Sequence, residues 1–264
     1  MTRFMGFVTA ALTLTGSGLH TPVTAQAAAG SAAPVEVPLT FVDGRPTVPV
    51  VAADGTELRF VVSTGNGTTV LTESLATRRE AIAKLTLGGL VVPLDGMATV
   101  PDAGLRGDSG AIDGIIGANM LRDYDVLLDA PRDRLVLRPV GRSVSWPGVA
   151  LSEPIPLRIF HGMVISLDVT LNGSDYPATL DTGTPFVLAN PAAGERLGLS
   201  AAGHATVSFA GASIPDVPMR VEDHHILRRW APDGSAFVLL GGAIARDCAV
   251  SISWVHREMR VCTR

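Results

Sequence analysis

Two short stretches of this chain, TLDTGTP at residues 179–185 and FVVSTGNGT at residues 60–68, decide which fold the sequence specifies. In each stretch an apolar segment runs into a polar residue, which is followed by Thr and Gly. The polar residue is Asp181 in the later copy and Ser63 in the earlier copy. The chain therefore carries the same strand-and-turn motif twice, and only one copy has an acid.

The two turns belong to a longer internal repeat. DGIIGANMLRDYDVLLDAPRDRLVLR matches FVLLGGAIARDCAVSISWVHREMRVC, and upstream of these KLTLGGLVVPLDGMATV matches ATVSFAGASIPDVPMRV. The order of landmarks is the same in both halves, which indicates a duplication. We therefore expect two homologous lobes, residues 35–141 and 149–264, with GRSVSWPG between them as a linker. Facing lobes form a cleft, which is a common place for a ligand.

The local patterns predict a mostly β chain. Short β-branched and apolar runs bounded by Gly, Pro and Asp predict strands, and LRFVV, LTLGGLVV, GIIG, YDVLLD and RLVLRP are of this kind. The windows LTESLATRREAIAK and NPAAGERLGL predict short helices. Each of these windows comes shortly after one of the two turn motifs.

Composition and the N-terminus suggest where the protein acts. The chain has 264 residues, a net charge of −4 and 47% apolar residues, which suffices for one large or two small domains. The mixed charge argues against a nucleic-acid partner. Arg3, the apolar run 4–14 and the small residues Ala25 and Ala27 predict a signal peptide over residues 1–27. We expect an exported monomer, periplasmic or extracellular, with no membrane span after cleavage.

An Asp on such a turn has a specific chemical use. Gly183 lets a second loop approach closely, and Thr182 can hydrogen-bond across to that loop. Two such loops, each with an Asp, would bring two carboxylates together, and like charges that close share a proton. One carboxylate then acts as a base toward water while the other acts as an acid.

With Asp181-Thr182-Gly183-Thr184 and the segments Ile115-Ile116-Gly117 and Leu239-Leu240-Gly241, the chain resembles the pepsin/retropepsin-like aspartic proteases in their two-lobed bacterial form. The resemblance covers nearly all of the chain after residue 27. It implies an all-β, bilobal acid-protease fold in which each apolar-apolar-Gly segment passes beneath the turn of its own lobe. It implies no metal and no cofactor, and the partner would be a peptide or protein. The site residues that it implies are Asp181, Thr182, Gly183 and the degenerate position Ser63 for catalysis, and Thr64, Gly65 and Thr184 for substrate binding.

Ser63 is where the chain departs from the family pattern. A serine cannot ionise near neutral pH, so Asp181 would lack its paired acid, and losing a positioned acid–base group costs about 10²–10⁴-fold in rate. We expect Ser63 to donate a hydrogen bond to Asp181 instead. Two functions stay open. The chain is either an aspartic-type peptidase that hydrolyses peptide bonds through an Asp181-activated water, or an inactive homologue that binds a peptide or protein. A dyad of Asp181 from two chains would require the lobes to exchange partners.

The family usually places a substrate-covering flap hairpin between the turn motif and the next strand. The spacing here is short in both halves, so either the flap is truncated or HATVSFAGAS forms it.

The two cysteines allow two outcomes. Cys248 and Cys262 in an exported chain favour a disulfide. The alternation of apolar residues, however, predicts that Val250 pairs with Val261. In that register the two cysteine side chains lie on opposite faces of the hairpin, which argues against a simple cross-strand disulfide.

Two further features are predicted to be structural. His224-His225 is expected to lie in a solvated loop rather than bind a metal, and Asp113 is expected to be structural rather than to replace the missing acid.

Overall fold

The computed structural model describes most of the chain after the predicted signal peptide, which lies outside the described residues. The described ranges are 33–105, 110–141, 143–209 and 211–263. They belong to one compact unit, and none of the helices described in it is long and apolar enough to cross a membrane. Below, the first half is residues 33–141 and the second half is residues 149–263.

The first half is built from short strands and very short helices. Its strands are β1 Val35–Pro38, β2 Thr40–Val42, β3 Arg45–Val51, β4 Glu57–Val62, β5 Val70–Thr72, β6 Thr86–Leu87, β7 Leu90–Val91, β8 Ala98–Val100, β9 Gly114–Ile116, β10 Tyr124–Asp129 and β11 Arg134–Pro139. Its helices are α1 Glu73–Thr77, α2 Arg79–Ile82, α3 Asp102–Leu105 and α4 Ala118–Leu121, with a 3₁₀ turn at Ala130–Arg132.

The second half has the same character, with longer hairpins. Its strands are β12 Ile155–Pro156, β13 Arg158–Phe160, β14 Val164–Leu171, β15 Ser174–Leu180, β16 Val187–Ala189, β17 Ala202–Phe209, β18 Ala212–Val221, β19 Val238–Leu240, β20 Ala249–Ser253 and β21 Glu258–Val261. Its helices are α5 Pro191–Leu197 and α6 His225–Trp230, with a 3₁₀ turn at Gly242–Ala245.

The strand pairing of the first half recurs in the second half. In the first half β4 runs parallel to β9, β9 antiparallel to β5, and β5 parallel to β8. In the second half β15 runs parallel to β19, β19 antiparallel to β16, and β16 parallel to β18. A hairpin precedes each set, β3–β4 in one and β14–β15 in the other. Both halves thus share one topology. In it the strand that ends at the turn motif, β4 or β15, pairs with an inner strand of the sheet, β9 or β19.

A third sheet joins the halves. Its strand order is β1-β11-β10-β20-β21-β12, so the first half supplies one side and the second half the other, and β10 pairs antiparallel with β20 at the centre. The linker is held on this sheet because Trp146 donates to the Ser251 hydroxyl at 2.6 Å, and the Arg138 guanidinium lies 4.4 Å from the Trp146 ring. One continuous apolar core contains buried residues of both halves.

The predicted strands and helices are confirmed, with one difference. LRFVV, GIIG, YDVLLD and RLVLRP lie in β4, β9, β10 and β11, LTLGGLVV forms the β6–β7 hairpin, and NPAAGERLGL contains α5. LTESLATRREAIAK forms two helices rather than one. The break is at Arg78, whose backbone (φ −83°, ψ 68°) is not helical.

The cysteines form a disulfide, although the predicted strand register is also confirmed. Val250 pairs with Val261, yet Cys248 is bonded to Cys262 with 5.4 Å between the Cα atoms. The reason is that both cysteines lie just beyond the β20–β21 ladder, since β20 begins at Ala249 and β21 ends at Val261. The face alternation of the ladder therefore does not constrain their side chains.

We predict that reducing the disulfide lowers the free energy of unfolding by about 3 kcal/mol, the loop-entropy value for a closed loop of about 15 residues. The bridge closes a sequence separation of 14. Urea denaturation with and without dithiothreitol measures the change, and a double Cys248→Ala/Cys262→Ala variant should not respond to the reductant. Two free thiols in unfolded, unreduced protein would contradict the bridge.

Candidate functional site

The two turn motifs are placed by equivalent strands. β4 ends at Val62 and β15 ends at Leu180, directly before the polar residue of each turn. The Ser63 N–H donates to the Ile116 carbonyl at 3.0 Å, and the Asp181 N–H donates to the Leu240 carbonyl at 2.9 Å. The backbone that carries the serine is therefore held in the same way as the backbone that carries the acid.

The apolar-apolar-Gly segments also support the far ends of the turns. The N–H that follows Gly117 donates to the Asn66 carbonyl at 2.7 Å, and the N–H that follows Gly241 donates to the Thr184 carbonyl at 2.6 Å. Each segment therefore bonds to both ends of the turn in its own half. These hydrogen bonds fix the positions of the first and the last residue of each turn.

A reciprocal pair of threonines joins the two turns. The Thr64 hydroxyl donates to the Leu180 carbonyl at 3.0 Å, and the Thr182 hydroxyl donates to the Val62 carbonyl at 2.7 Å. Each hydroxyl also accepts the other threonine's N–H at 3.2 Å. Thr64 is 1% and Thr182 is 0% exposed. Thr64 and Thr182, two of the three predicted site threonines, are thus interior residues that position the turns, and Thr64 does not reach a ligand directly.

The glycines allow this close approach. A Cβ added at Gly65 would overlap the Asp181 carboxyl group, and one added at Gly183 would lie 2.8 Å from the Ser63 hydroxyl oxygen. Contacts under 3.0 Å of this kind are not made by real Cβ atoms. Any side chain at either position would push the two turns apart.

Asp181 is held by donors from both turns. Its Oδ1 accepts from the Ser63 hydroxyl at 2.7 Å, from the Gly65 N–H at 3.3 Å and from the Gly183 N–H at 3.0 Å. Its Oδ2 accepts from the Thr184 hydroxyl at 3.2 Å. The Ser63 bond expected from the sequence is therefore present. Donors of this kind stabilise negative charge on a carboxylate, and Oδ2 keeps capacity for a further donor.

Ser63 has no hydrogen-bonding capacity left for a ligand. Its hydroxyl donates to Asp181 and accepts from the Asn66 backbone N–H at 3.2 Å and from the Asn66 side-chain amide at 2.8 Å. A hydroxyl has one proton and two lone pairs, so all three are used. The side chain is also fully buried. Ser63 therefore orients Asp181 and does not face the cavity.

A cavity of about 480 Å³ opens beside Asp181 and is lined by both halves. Asp181 is the only acid among the described lining residues, and the basic ones are His161 and Arg229. The rest of the lining is apolar or uncharged. The full lining is Gly65, Gly67, His161, Val164, Thr179, Asp181, Ile226, Arg229, Trp230 and Leu239.

One wall of the cavity is α6. The side chains of Ile226, Arg229 and Trp230 are spaced i, i+3 and i+4 and so share one helix face. Leu227 on another face is buried in an apolar cluster, which anchors the helix. The Trp230 ring lies 5.8 Å from that of Phe160 and stacks at 6.4 Å on that of Phe237.

A second wall is the turn of the β13–β14 hairpin, which carries His161. Arg158 and Asp168 tie the two strands with bonds of 2.9 and 2.8 Å, and the Arg158 guanidinium lowers the pKa of Asp168. Trp254 donates to the Met163 carbonyl at 2.8 Å and fixes the end of the turn. The turn contacts the first half, because the space beside Gly67 is filled by Met163.

Neither the β6–β7 hairpin nor the HATVSFAGAS segment, which was the candidate flap, lines this cavity with its described residues. The first-half hairpin, β6–β7, has strands of two residues each. The HATVSFAGAS segment forms the β17–β18 hairpin, whose β17 pairs with β14. None of the described residues of either hairpin lines the cavity. The α6 helix and the β13–β14 turn occupy its walls instead.

Sequence reasoning did not identify α6, and it placed His224-His225 in a solvated loop. That placement was wrong, because His224 caps the helix by accepting from the Ile226 N–H at 3.3 Å and His225 is its first residue. The signal that could have found the helix is the i, i+3, i+4 spacing of Ile226, Arg229 and Trp230.

Asp113 does not line the Asp181 cavity, and its described hydrogen bonds are to residues of the first half. Its side chain accepts the Arg59 N–H at 2.8 Å, and its backbone also bonds to Arg59. A second cavity, of about 510 Å³, borders Arg59 and Asp113 and is lined by first-half residues. We take the Asp181 cavity as the candidate site because it joins the halves at the two turns. No group of acids, histidines or cysteines in the described part of the chain could hold a metal ion.

In comparisons with known proteins, no family model matches this chain, and no curated protein matches it as a relative.

We predict that Thr182→Val lowers the free energy of unfolding by about 2–6 kcal/mol. The change keeps the volume but leaves the Val62 carbonyl and the Thr64 N–H buried without partners, at about 1–3 kcal/mol each. Urea denaturation gives the value, and Thr170→Val, at a hydroxyl bonded on the surface to Asp175, should change it by less than about 1 kcal/mol.

The double variant Thr64→Val/Thr182→Val should lose less than the sum of the two single changes. The two hydroxyls have different partners, but they hold the same contact between the turns, so either change loosens the bonds that the other would remove. Strict additivity would contradict the reciprocal arrangement.

Proposed function

We propose that this chain has the bilobal acid-protease fold and that its interlobe cavity binds a peptide without hydrolysing it. The observation that carries the proposal is the 2.7 Å hydrogen bond from Ser63 to Asp181, at the position where an acid pair needs its second carboxylate. The fold assignment is supported by the topology common to both halves and by the sheet that they share. Two homologous lobes, 35–141 and 149–264, account for both features.

The chemistry favours binding over hydrolysis. Peptide hydrolysis by an acid pair needs one carboxylate to take a proton from water and the other to give a proton to the substrate. Asp181 can take a proton or orient a water, but Ser63 cannot replace the acid, and its hydroxyl is fully engaged. Among the described lining residues no second carboxyl group is present. The loss of such a partner costs about 10²–10⁴-fold in rate.

The volume and the lining of the cavity suit a peptide. The volume, about 480 Å³, is in the range of sites that hold small organic ligands. Val164, Ile226, Trp230 and Leu239 offer apolar surface for side chains, and Asp181 Oδ2 offers an acceptor for a backbone N–H. The Thr64–Thr182 network presets this acceptor before a ligand arrives, which reduces the cost of ordering it.

We also propose that the protein is exported, periplasmic or extracellular. The Cys248–Cys262 disulfide supports this location, because such bonds persist in oxidising compartments.

We predict that the native protein does not cleave a mixed peptide library measurably from acidic to neutral pH, and that Ser63→Asp raises cleavage by about 10²-fold or more. The new carboxylate would face Asp181 and accept the two Asn66 donors that Ser63 now accepts. Mass spectrometry of the library at each pH measures the products.

The matched control is Ser63→Asn, which has the size of Asp without its acid and should stay inactive. Asp181→Asn added to Ser63→Asp should remove the gain. Robust cleavage by the native protein that is lost in Asp181→Asn would overturn the proposal, because the lone acid would then suffice.

A further inference from the structure

The cavity carries an unusual charge arrangement that the acid-protease interpretation does not use. Asp181 and Arg229 both line it, yet the two do not form an ion pair with each other. The donors that hold the Asp181 carboxylate are neutral groups of the two turns, and Oδ2 keeps capacity for one more. One wall of the site is therefore acidic and another is basic.

The Arg229 side chain lines this cavity. Among the described residues it has no hydrogen-bond, ion-pair or ring partner. Its neighbour Arg228 differs, because that side chain pairs with Asp223 at 2.8 Å outside the cavity. The helix thus places Arg228 in a surface ion pair, whereas Arg229, the next residue, lines the cavity and is available to a ligand. A guanidinium presents a planar fork of donors that matches a carboxylate.

The surface around Arg229 is apolar and held in place. Ile226 and Trp230 lie on the same helix face, and the Trp230 ring is fixed between Phe160 and Phe237. These apolar side chains form the walls beside the Arg229 guanidinium, which is itself exposed. The same walls offer a place for an apolar side chain next to the charged group.

Resting on the proposed peptide binding, we propose that the cavity selects short apolar peptides that carry a carboxylate. The carboxylate binds Arg229, an apolar side chain packs on Ile226 and Trp230, and a backbone N–H donates to Asp181 Oδ2. The carboxylate can come from the peptide C-terminus or from an acidic side chain. No bond is made or broken, so the role is recognition.

The test uses the full purified chain and acetylated tripeptide libraries of apolar residues in three forms. One form has a free C-terminal carboxylate, one has a C-terminal amide, and one has the amide with Glu at the middle position. Equilibrium dialysis with mass spectrometry measures retention of each form. We expect the carboxylate-bearing members to be retained about tenfold more than the amides, the factor for one charge-assisted hydrogen bond. Preference for the first or third form identifies the source of the carboxylate.

Arg229→Gln should remove this preference while retaining the amide peptides, and Arg228→Gln, the matched control on the same helix, should keep it. Arg229 is exposed, so the fold should be unaffected, and the thermal unfolding midpoint checks this. Equal retention of acids and amides by the native chain, or a preference unchanged in Arg229→Gln, would overturn the inference and leave peptide binding standing. Retention of none of the libraries would overturn both proposals.

Discussion

The reciprocal hydrogen bonds between Thr64 and Thr182 are the constraint on which the rest of the site depends. Each hydroxyl donates to the carbonyl that precedes the opposite turn and accepts the opposite N–H. These groups are buried, so leaving any of them unpaired would cost about as much as a lost interior hydrogen bond. The turns can therefore meet in one relative position only. Gly65 and Gly183 make that position sterically possible, and it is the position at which Ser63 contacts Asp181.

The two turns share this network although only one of them carries an acid. The support beneath the Ser63 turn matches the support beneath the Asp181 turn, down to the N–H that bonds to β9 or to β19. Ser63 preserves the contact but supplies a neutral donor where a paired acid would share a proton. The result is a carboxylate fixed in orientation at the edge of a mostly apolar cavity. Such an acceptor suits recognition of an N–H group, which is the basis of the proposed peptide binding.

Sequence reasoning went furthest where a pattern is local. The strands around the two turns, the α5 window and the Val250–Val261 register followed from alternation and turn residues. The hydrogen bond from Ser63 to Asp181 was expected from the repeat together with the resemblance, in which the turns of the two lobes face each other, and it is present at 2.7 Å. The sequence left the disulfide open, because the alternation rule does not apply past the ends of β20 and β21, where both cysteines lie. Sequence reasoning missed α6, since a helix of six residues gives a weak periodic signal.

By itself, then, the sequence determined the duplicated strand-and-turn motif, the mostly β class and the presence of one acid where two could stand. These properties can be read from residue types and their spacing along the chain, without knowing how distant segments pack. Only the tertiary structure decided that Thr64 is interior, that the HATVSFAGAS hairpin lies away from the cavity, and that α6 brings Arg229 to the same space as Asp181. Those outcomes depend on how separate segments pack, because a cavity lining is a property of surfaces distant in sequence and no local pattern encodes it.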